Sequence, residues 1–264
     1  MSDSAVTIDD GNIFRSGLVK TAFVTFLILY FLYLVLSKAP ASIAAWAIHK
    51  AAPTVWLTSV EGTLWDGVAR GAQVDIGSQT VPLGQVSWKL NPISILFFTP
   101  CVTFVSDLAS GKTCHTLAGT SKVEDLSLDA PVAMIQDMLP FESAGQLSLQ
   151  VIEANFSVPK QQVNSLNAKL SVQGTRINPL GDWVSLGSIA VQAEANGQGG
   201  VNAKIFDIQS PVGIDMKAEW VGGATTWKLD GTVTLKDESP EIFRQGLPTL
   251  GEEVEKGTYR LQWP

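Results

Sequence analysis

The residues best suited to chemistry are the two cysteines of the chain, Cys101 and Cys114, and the histidine that follows the second one. A structural zinc site needs four closely spaced ligands, and these residues, with only the distant His49 in addition, do not supply them. In an oxidising compartment the two cysteines are suited to a disulfide between neighbouring strands. The alternative is a pair of unpaired, buried thiols. We therefore predict a disulfide or buried thiols here, and neither a metal nor another cofactor.

Other motifs that could carry catalysis are weak. Residues 110–113 (SGKT) resemble the end of a phosphate-binding loop, but Ser106 stands where the first glycine is required and no helix pattern follows. A hairpin turn at 110–113 is the better prediction. The carboxylate pairs at 124–125, 237–238 and 252–253 lie beside turn residues, which is typical of solvated loop charge. With two histidines and no nucleophile motif, the sequence predicts no catalytic residue and no enzyme.

The apolar stretch 18–37 is the element that decides where these residues lie. No residue in 21–37 carries a charge. A helix that rises about 1.5 Å per residue crosses most of a roughly 30 Å hydrocarbon core over this length. We predict a transmembrane helix over 18–37. The predicted membrane-anchor residues are Leu18, Phe23, Phe26, Leu29, Phe31, Leu34 and Leu36.

The orientation of this helix follows from the basic residues beside it. Arg15 and Lys20 precede or begin the apolar run, whereas Lys38 and Lys50 follow it. This modest bias favours a cytoplasmic N-terminus over 1–17, a single span and a translocated remainder. The competing interpretation is a cleaved signal peptide, because residues 39–41 have the small-x-small form of a cleavage site.

After the span, the hydrophobic pattern changes from helical to alternating. A short juxtamembrane helix is predicted within 38–54, from the spacing of Ile43, Trp46 and Ala47. Beyond it, period-two alternation with frequent Gly and Pro indicates antiparallel strands, and short helices are predicted near 131–139 and 239–245. The predicted strands are 55–60, 67–76, 84–90, 101–108, 113–118, 123–128, 145–155, 166–176, 186–195, 201–209, 213–221 and 226–236.

The strands predict a mainly β fold for residues 55–264. Many have one apolar and one polar side, as expected of a sheet covered on one face only. So long a sheet must twist, which predicts a curved half-barrel or a sandwich-like fold; an open curve would form an apolar groove. Two pseudo-repeats, 55–140 and 141–264, are a further hypothesis. The tryptophans predicted to pack in the core are Trp65, Trp88, Trp183, Trp220 and Trp227.

Four short segments carry a resemblance to a known family. They are 62–67 (GTLWDG), 86–92 (VSWKLNP), 145–149 (GQLSL) and 257–263 (GTYRLQW). Their order along the chain and the single N-terminal anchor resemble protein N of the bacterial type II secretion system, also called general secretion pathway protein N. Cys101 and Cys114 are not part of that family pattern.

The resemblance implies an inner-membrane protein with a periplasmic β domain, which serves protein export by binding other secretion proteins and has no catalytic residue. The alternative is a periplasmic lipid-binding or lipid-transfer protein that uses an apolar groove. A net charge of -7 and a pI near 4.8 argue against nucleic acid as a partner. The expected partners are therefore the inner membrane, other secretion proteins and, in the alternative, lipid.

Overall fold

The computed structural model describes residues 12–77, 79–139, 141–179 and 181–263. The α-helices are α1 Asn12–Ser37, α2 Ala41–Ala51, α3 Pro92–Leu96 and α4 Glu241–Leu250, with a 3-10 helix at Val132–Met138. The strands are β1 Val55–Gly62, β2 Asp66–Ile76, β3 Gln79–Leu90, β4 Cys101–Ser106, β5 Ala109–His115, β6 Thr120–Pro131, β7 Glu142–Ser157, β8 Gln162–Asn178, β9 Val184–Ala195, β10 Val201–Gln209, β11 Val212–Trp220, β12 Lys228–Leu235, β13 Glu252–Glu255 and β14 Thr258–Trp263.

All these strands form one antiparallel sheet of 14 strands. Each strand from β1 to β11 pairs with the next one along the chain, β12 pairs with β14, and β14 pairs with β13 at the edge. Because β1 and β13 lie at opposite edges, the sheet is open. The predicted mainly β fold with an N-terminal apolar helix, a large antiparallel sheet and short helices is therefore confirmed. The two hypothetical repeats, 55–140 and 141–264, lie in this one sheet, and their common origin stays a hypothesis.

Helix α2 covers the apolar side of the sheet at its first edge. Its Ala41 and Ala44 pack against Ala69 of β2 and Trp88 of β3 in a small buried cluster. The Trp88 ring lies directly over Gly67, where a Cβ atom would overlap it. A glycine at this position is therefore what allows the largest side chain of the cluster to pack flat on the sheet.

Helix α4 covers the same side near the last edge. Its Leu247 packs against Val212, Val233 and Tyr259 in a second buried cluster. The sequence predicted that the helix ends near residue 245, before Pro248, but Pro248 lies inside the helix. Proline removes one helical hydrogen bond. The burial of Leu247, only 4 % exposed, holds this last turn on the sheet in spite of that loss.

The hairpin between β4 and β5 differs from the prediction. Its turn is at 107–108, where the Ser106 hydroxyl donates to the Ala109 carbonyl and accepts from the Ala109 N–H, both at 2.9 Å. Residues 110–113 lie inside β5, so the hairpin turn predicted there was wrong. The small residues were misleading because Gly111 serves packing: the Leu126 side chain of β6 lies against it.

Candidate functional site

The main surface feature of the molecule is an apolar face that runs across the sheet. In an antiparallel sheet, directly opposite residues point to the same side, so the pairing register identifies the face. One row of opposite residues crosses six strands: Leu128, Leu149, Leu170, Val191, Ile205 and Met216. A parallel row contains Leu126, Val151, Ala168, Ala193, Ala203 and Ala218. We call these two rows the apolar face.

The opposite side of the same strands is polar. One row there consists of Gln150, Lys169, Gln192, Lys204 and Lys217. Among these, Lys204 forms an exposed ion pair with Asp215 at 3.6 Å. Because this pair is exposed, this side is a solvated surface, and pairs of this kind contribute little to stability.

Burial on the apolar face is incomplete. All six residues of its first row are half-buried, and within the described residues no large side chain is fully buried anywhere. The two buried clusters lie near the ends of the sheet, under α2 and α4. The central strands β6 to β10 therefore present an apolar surface that is crowded by its own neighbours but not sealed into a core.

A cavity beside α4 shows that the sheet is curved. It has a volume of about 400 Å³ and is lined by apolar side chains that include Ile177 of β8 and Leu261 of β14. These strands are five positions apart in the sheet. In a flat sheet they would be about 24 Å apart. Only a sheet that curls around α4 brings both to one cavity, so the apolar face is the concave side.

The cysteines and histidines that the sequence offered as candidates for chemistry lie apart from this face or have structural partners. Cys101 and Cys114 are directly opposite on β4 and β5 and are joined by a disulfide. His115 contacts the Ser121 hydroxyl through Nδ1 at 2.7 Å. The His49 ring lies against the Trp56 ring in a tilted arrangement, with 4.5 Å between ring centroids. Within the described residues, no group of three or more His, Cys, Asp or Glu side chains is arranged to hold a metal.

Lys112, from the motif that resembled a phosphate loop, has an acidic partner instead. Its Nζ donates to Glu124 of β6 at 2.7 Å, and Lys122 donates to the same carboxylate at 2.6 Å. Hydrogen bonds from Lys112 and then from Lys122 lower the pKa of Glu124 from 4.5 to about 2. The cluster is thus a structural ion pair on the sheet surface.

The described side chains of the apolar helix are exposed over nearly all of the part that could cross a membrane. Val19–Ser37 has a mean hydropathy of 2.1, none of its described side chains is buried, and it is the one helix of the described residues that is long and apolar enough to span a bilayer. Six of the predicted anchor residues are between 40 % and 65 % exposed: Phe23, Phe26, Leu29, Phe31, Leu34 and Leu36. The Leu18 side chain and residues 1–11 lie outside the described part.

Sequence reasoning missed how this helix is joined to the sheet. The Trp65 indole donates to the Leu36 carbonyl in the last turn of α1 at 2.7 Å, and the Leu64 N–H donates to the Ala39 carbonyl at 2.8 Å. Residue Pro40 also forms a bridge with Thr63. The turn between β1 and β2 therefore lies against the end of α1.

The tryptophans illustrate how core packing was overestimated. Trp88 is buried as predicted, but Trp183 and Trp227 are 47 % and 45 % exposed. Trp65 and Trp220 are half-buried, and the Trp220 indole donates to the Ala224 carbonyl. Core packing was wrong for the exposed pair, because Trp183 and Trp227 lie in the connections before β9 and β12 and not on the apolar face of the sheet.

Comparison with known proteins identifies the family. The family model described as Type II secretion system (T2SS), protein N matches residues 53–262. The chain belongs to this family. The match begins just before β1 and ends within β14, so it covers the whole sheet.

A curated relative agrees with this membership. The chain is 26 % identical over 254 residues to the type II secretion system protein N of Aeromonas hydrophila, which covers 90 % of this chain and 94 % of that protein. No solved structure matches the chain. The resemblance to the protein N family seen in the sequence is confirmed, and the sheet described above is the part of the chain that defines the family here.

Proposed function

We propose that the chain is a single-pass inner-membrane component of the type II secretion system whose β domain, residues 55–264, lies in the periplasm and acts by binding other proteins of the machine. The observation that carries the proposal is the arrangement of the chain. An apolar helix of spanning length, followed by the short helix α2, precedes a sheet that the protein N family model matches over nearly its whole length. Membership in a secretion system implies interaction with its other components.

The apolar face is the surface that suits such binding. It is concave, crosses the central strands and is bordered by helices at its ends. Contiguous apolar surface that a protein leaves accessible is a common mark of a binding site. The proposal includes no catalytic step, because Cys101 and Cys114 are bonded to each other and the Glu124 cluster is a structural ion pair.

Site-specific photocrosslinking in cells that carry the native secretion system tests the proposal. A benzophenone amino acid replaces Leu149 on the apolar face or, as the matched control, its neighbour Gln150 on the polar side. We expect crosslinks from position 149 to one or more secretion proteins and none of these from position 150. Formation of the Cys101–Cys114 disulfide in both variants checks that they are folded. Protein adducts at neither position would contradict the proposal.

The second candidate is a lipid-handling role. The cavity of about 400 Å³ beside α4 favours it, because its lining is almost entirely apolar and such a cavity suits hydrocarbon. The same crosslinking experiment distinguishes the two functions. Phospholipid adducts at position 149, together with phospholipid retained in native mass spectra of the purified full chain, would favour lipid handling over protein binding.

A further inference from the structure

The connection between β3 and β4, residues 91–100, exposes large apolar side chains at its tip. Leu96, Phe97 and Phe98 are 76 %, 73 % and 67 % exposed, and Ile93 is 62 % exposed. The segment contains no charged residue. We call it the apolar loop. Such a cluster at one point of a surface marks a contact with another apolar phase or partner.

This exposure belongs to a well-formed loop. The Asn91 side chain accepts from the Ile93 N–H at 3.0 Å and begins the short helix α3. The Ser94 hydroxyl, in a buried residue, donates to the Asn91 carbonyl at 2.6 Å and accepts from the Cys101 N–H at 2.9 Å. The disulfide of Cys101 follows directly. The loop is therefore held from inside by polar bonds, while its apolar side chains face outward.

The apolar loop starts beside the end of the apolar helix. The Leu90 N–H donates to the Trp65 carbonyl at 2.8 Å, and the Trp65 indole donates to the Leu36 carbonyl at 2.7 Å. Two hydrogen bonds thus link the start of the loop to the last turn of α1. From this point, α2 runs back over β1, and its His49 lies close to Val55 at the beginning of that strand. The loop therefore lies at the end of the strands where α1 joins the sheet.

We call the end of the strands that carries the apolar loop the loop side. The two ends of the strands differ in charge, and the difference fits a membrane on the loop side. On that side, the connections are 63–65, 91–100, 116–119, 158–161, 196–200 and 221–227, and Lys160 is their only charged residue. The connections at the opposite end are acidic on balance, with Asp107, Asp137, Asp182, Asp237, Glu238 and Glu241 against Lys236, Arg244 and Lys256. Acidic side chains are repelled by the anionic lipids of a bilayer surface, whereas aromatic residues such as Trp65 favour its interface.

A neighbouring turn extends the same apolar surface. The His115 N–H donates to the Pro100 carbonyl at 3.0 Å, so the turn 116–119 lies next to the apolar loop. Leu117, in this turn, is 79 % exposed. Lys38 and Lys89, near the base of the loop, are exposed and suited to contact lipid phosphates.

We propose that the apolar loop, together with Leu117, inserts into the membrane leaflet at which α1 ends. The inserted side chains are Ile93, Leu96, Phe97 and Phe98, and they give the β domain a second contact with the bilayer. This contact fixes the orientation of the sheet, whose first strands stand on the membrane by their loop-side ends. The inference rests on the proposed membrane anchoring by α1.

The test uses the full chain reconstituted in vesicles of phosphatidylethanolamine and phosphatidylglycerol, with 4-trifluoromethylphenylalanine in place of one aromatic residue. Position 97 reports on the loop, position 31 in α1 reports on the anchor, and position 183, at the opposite end of the strands and 47 % exposed, is the water-facing control. Fluorine NMR relaxation is measured with a doxyl-labelled lipid and, separately, with a water-soluble gadolinium complex.

We expect position 97 to behave like position 31, with several-fold stronger relaxation by the doxyl lipid than at position 183 and protection from gadolinium. If position 31 is in lipid while position 97 is relaxed by gadolinium as strongly as position 183, the loop inference is overturned and the anchor stands. If positions 31 and 97 are both in water, the anchoring itself has failed. Since the vesicles contain no other protein, insertion there cannot be explained by a protein partner of the loop.

Discussion

The two cysteines occupy directly opposite positions on β4 and β5, with their Cα atoms 4.0 Å apart. We propose that the disulfide forms in the cell, because an exported domain meets an oxidising environment. Alkylation of the full chain without reductant, followed by mass spectrometry, should find no modified cysteine. Two alkylated thiols would contradict both the disulfide and the exported location.

Replacing both Cys101 and Cys114 with Ala should lower the free energy of unfolding by about 3 kcal/mol, and reductant should have the same effect on the unmodified protein.

The Glu124 carboxylate should make stability depend on pH in the acidic range. Its pKa is lowered from 4.5 to about 2 in the folded protein by Lys112 first and Lys122 second. A lowered folded pKa means that the stabilisation is complete above pH 4.5 and is lost as the pH falls toward 2. Glu124→Gln should therefore remove this acid-dependent loss and should destabilise the protein at neutral pH by about 0.5 to 1 kcal/mol, since the lysines are largely solvated.

Urea unfolding between pH 2.5 and pH 7 measures this effect. Glu219→Gln, at an exposed position of β11, is the matched control and should keep the acid-dependent loss of the unmodified protein. An unchanged pH profile in Glu124→Gln would show that the lysine pairs do not act on this carboxylate in solution.

At the scale of elements, helix α4 is stabilised mainly by the packing of one buried side chain on the sheet, and less by the local helix signals of its own sequence. Leu247 is 4 % exposed and packs in the cluster with Val212 and Tyr259, whereas Leu250, one turn later, is 68 % exposed. Leu247→Ala should destabilise the helix and the adjoining strands by about 2 to 4 kcal/mol. Leu250→Ala should change the stability by less than about 0.5 kcal/mol.

Hydrogen exchange of the full chain localises this effect. Leu247→Ala should lower protection in α4 and in β12 and β14, which share the buried cluster, while β1 to β3 keep theirs. Equal loss at both edges of the sheet would mean that the two clusters do not act as separate units.

Most strands could be predicted because their alternation is a local property, but their ends could not. The turn at 107–108 depends on the Ser106 hydroxyl, which closes the hairpin from outside the turn. The short helix α3 was missed because it is only 5 residues long and is held by Asn91 and Ser94, not by an apolar period. Helix α4 continues through Pro248 because the burial of Leu247 on the sheet outweighs the local stop signal.

At the scale of the whole molecule, the proposed orientation predicts the side of the membrane on which each end lies. Arg15 and Lys20 favour a cytoplasmic N-terminus, and the acidic β domain follows the span. Alkaline phosphatase fused after residue 264 should be active and green fluorescent protein at the same point dark, whereas fluorescent protein fused before residue 1 should fluoresce. The reverse pattern would place the sheet in the cytoplasm and contradict the proposed function. An exported but released domain would instead indicate cleavage near 39–41.

The sequence by itself determined the elements whose signals are local. The uncharged run 21–37 predicted the apolar helix, period-two alternation predicted a one-sided antiparallel sheet, and four short segments predicted the family. The first two signals are local, because a helix or strand has a fixed repeat that shows within one segment. The family signal combines four short segments and their order along the chain. Even the absence of a catalytic constellation was an expectation drawn from residue types alone.

Only the tertiary structure decided that the apolar face is concave and half-buried, and where the connections between the strands lie. Alternation states that Leu149 and Leu170 face one side, but only the register places them opposite each other on a concave surface left half-buried. The run at 92–98 reads equally well as a core segment. It lies exposed beside the end of the apolar helix because the Trp65 contacts bring β3 and α1 together, and such contacts between distant residues have no local signature in the chain.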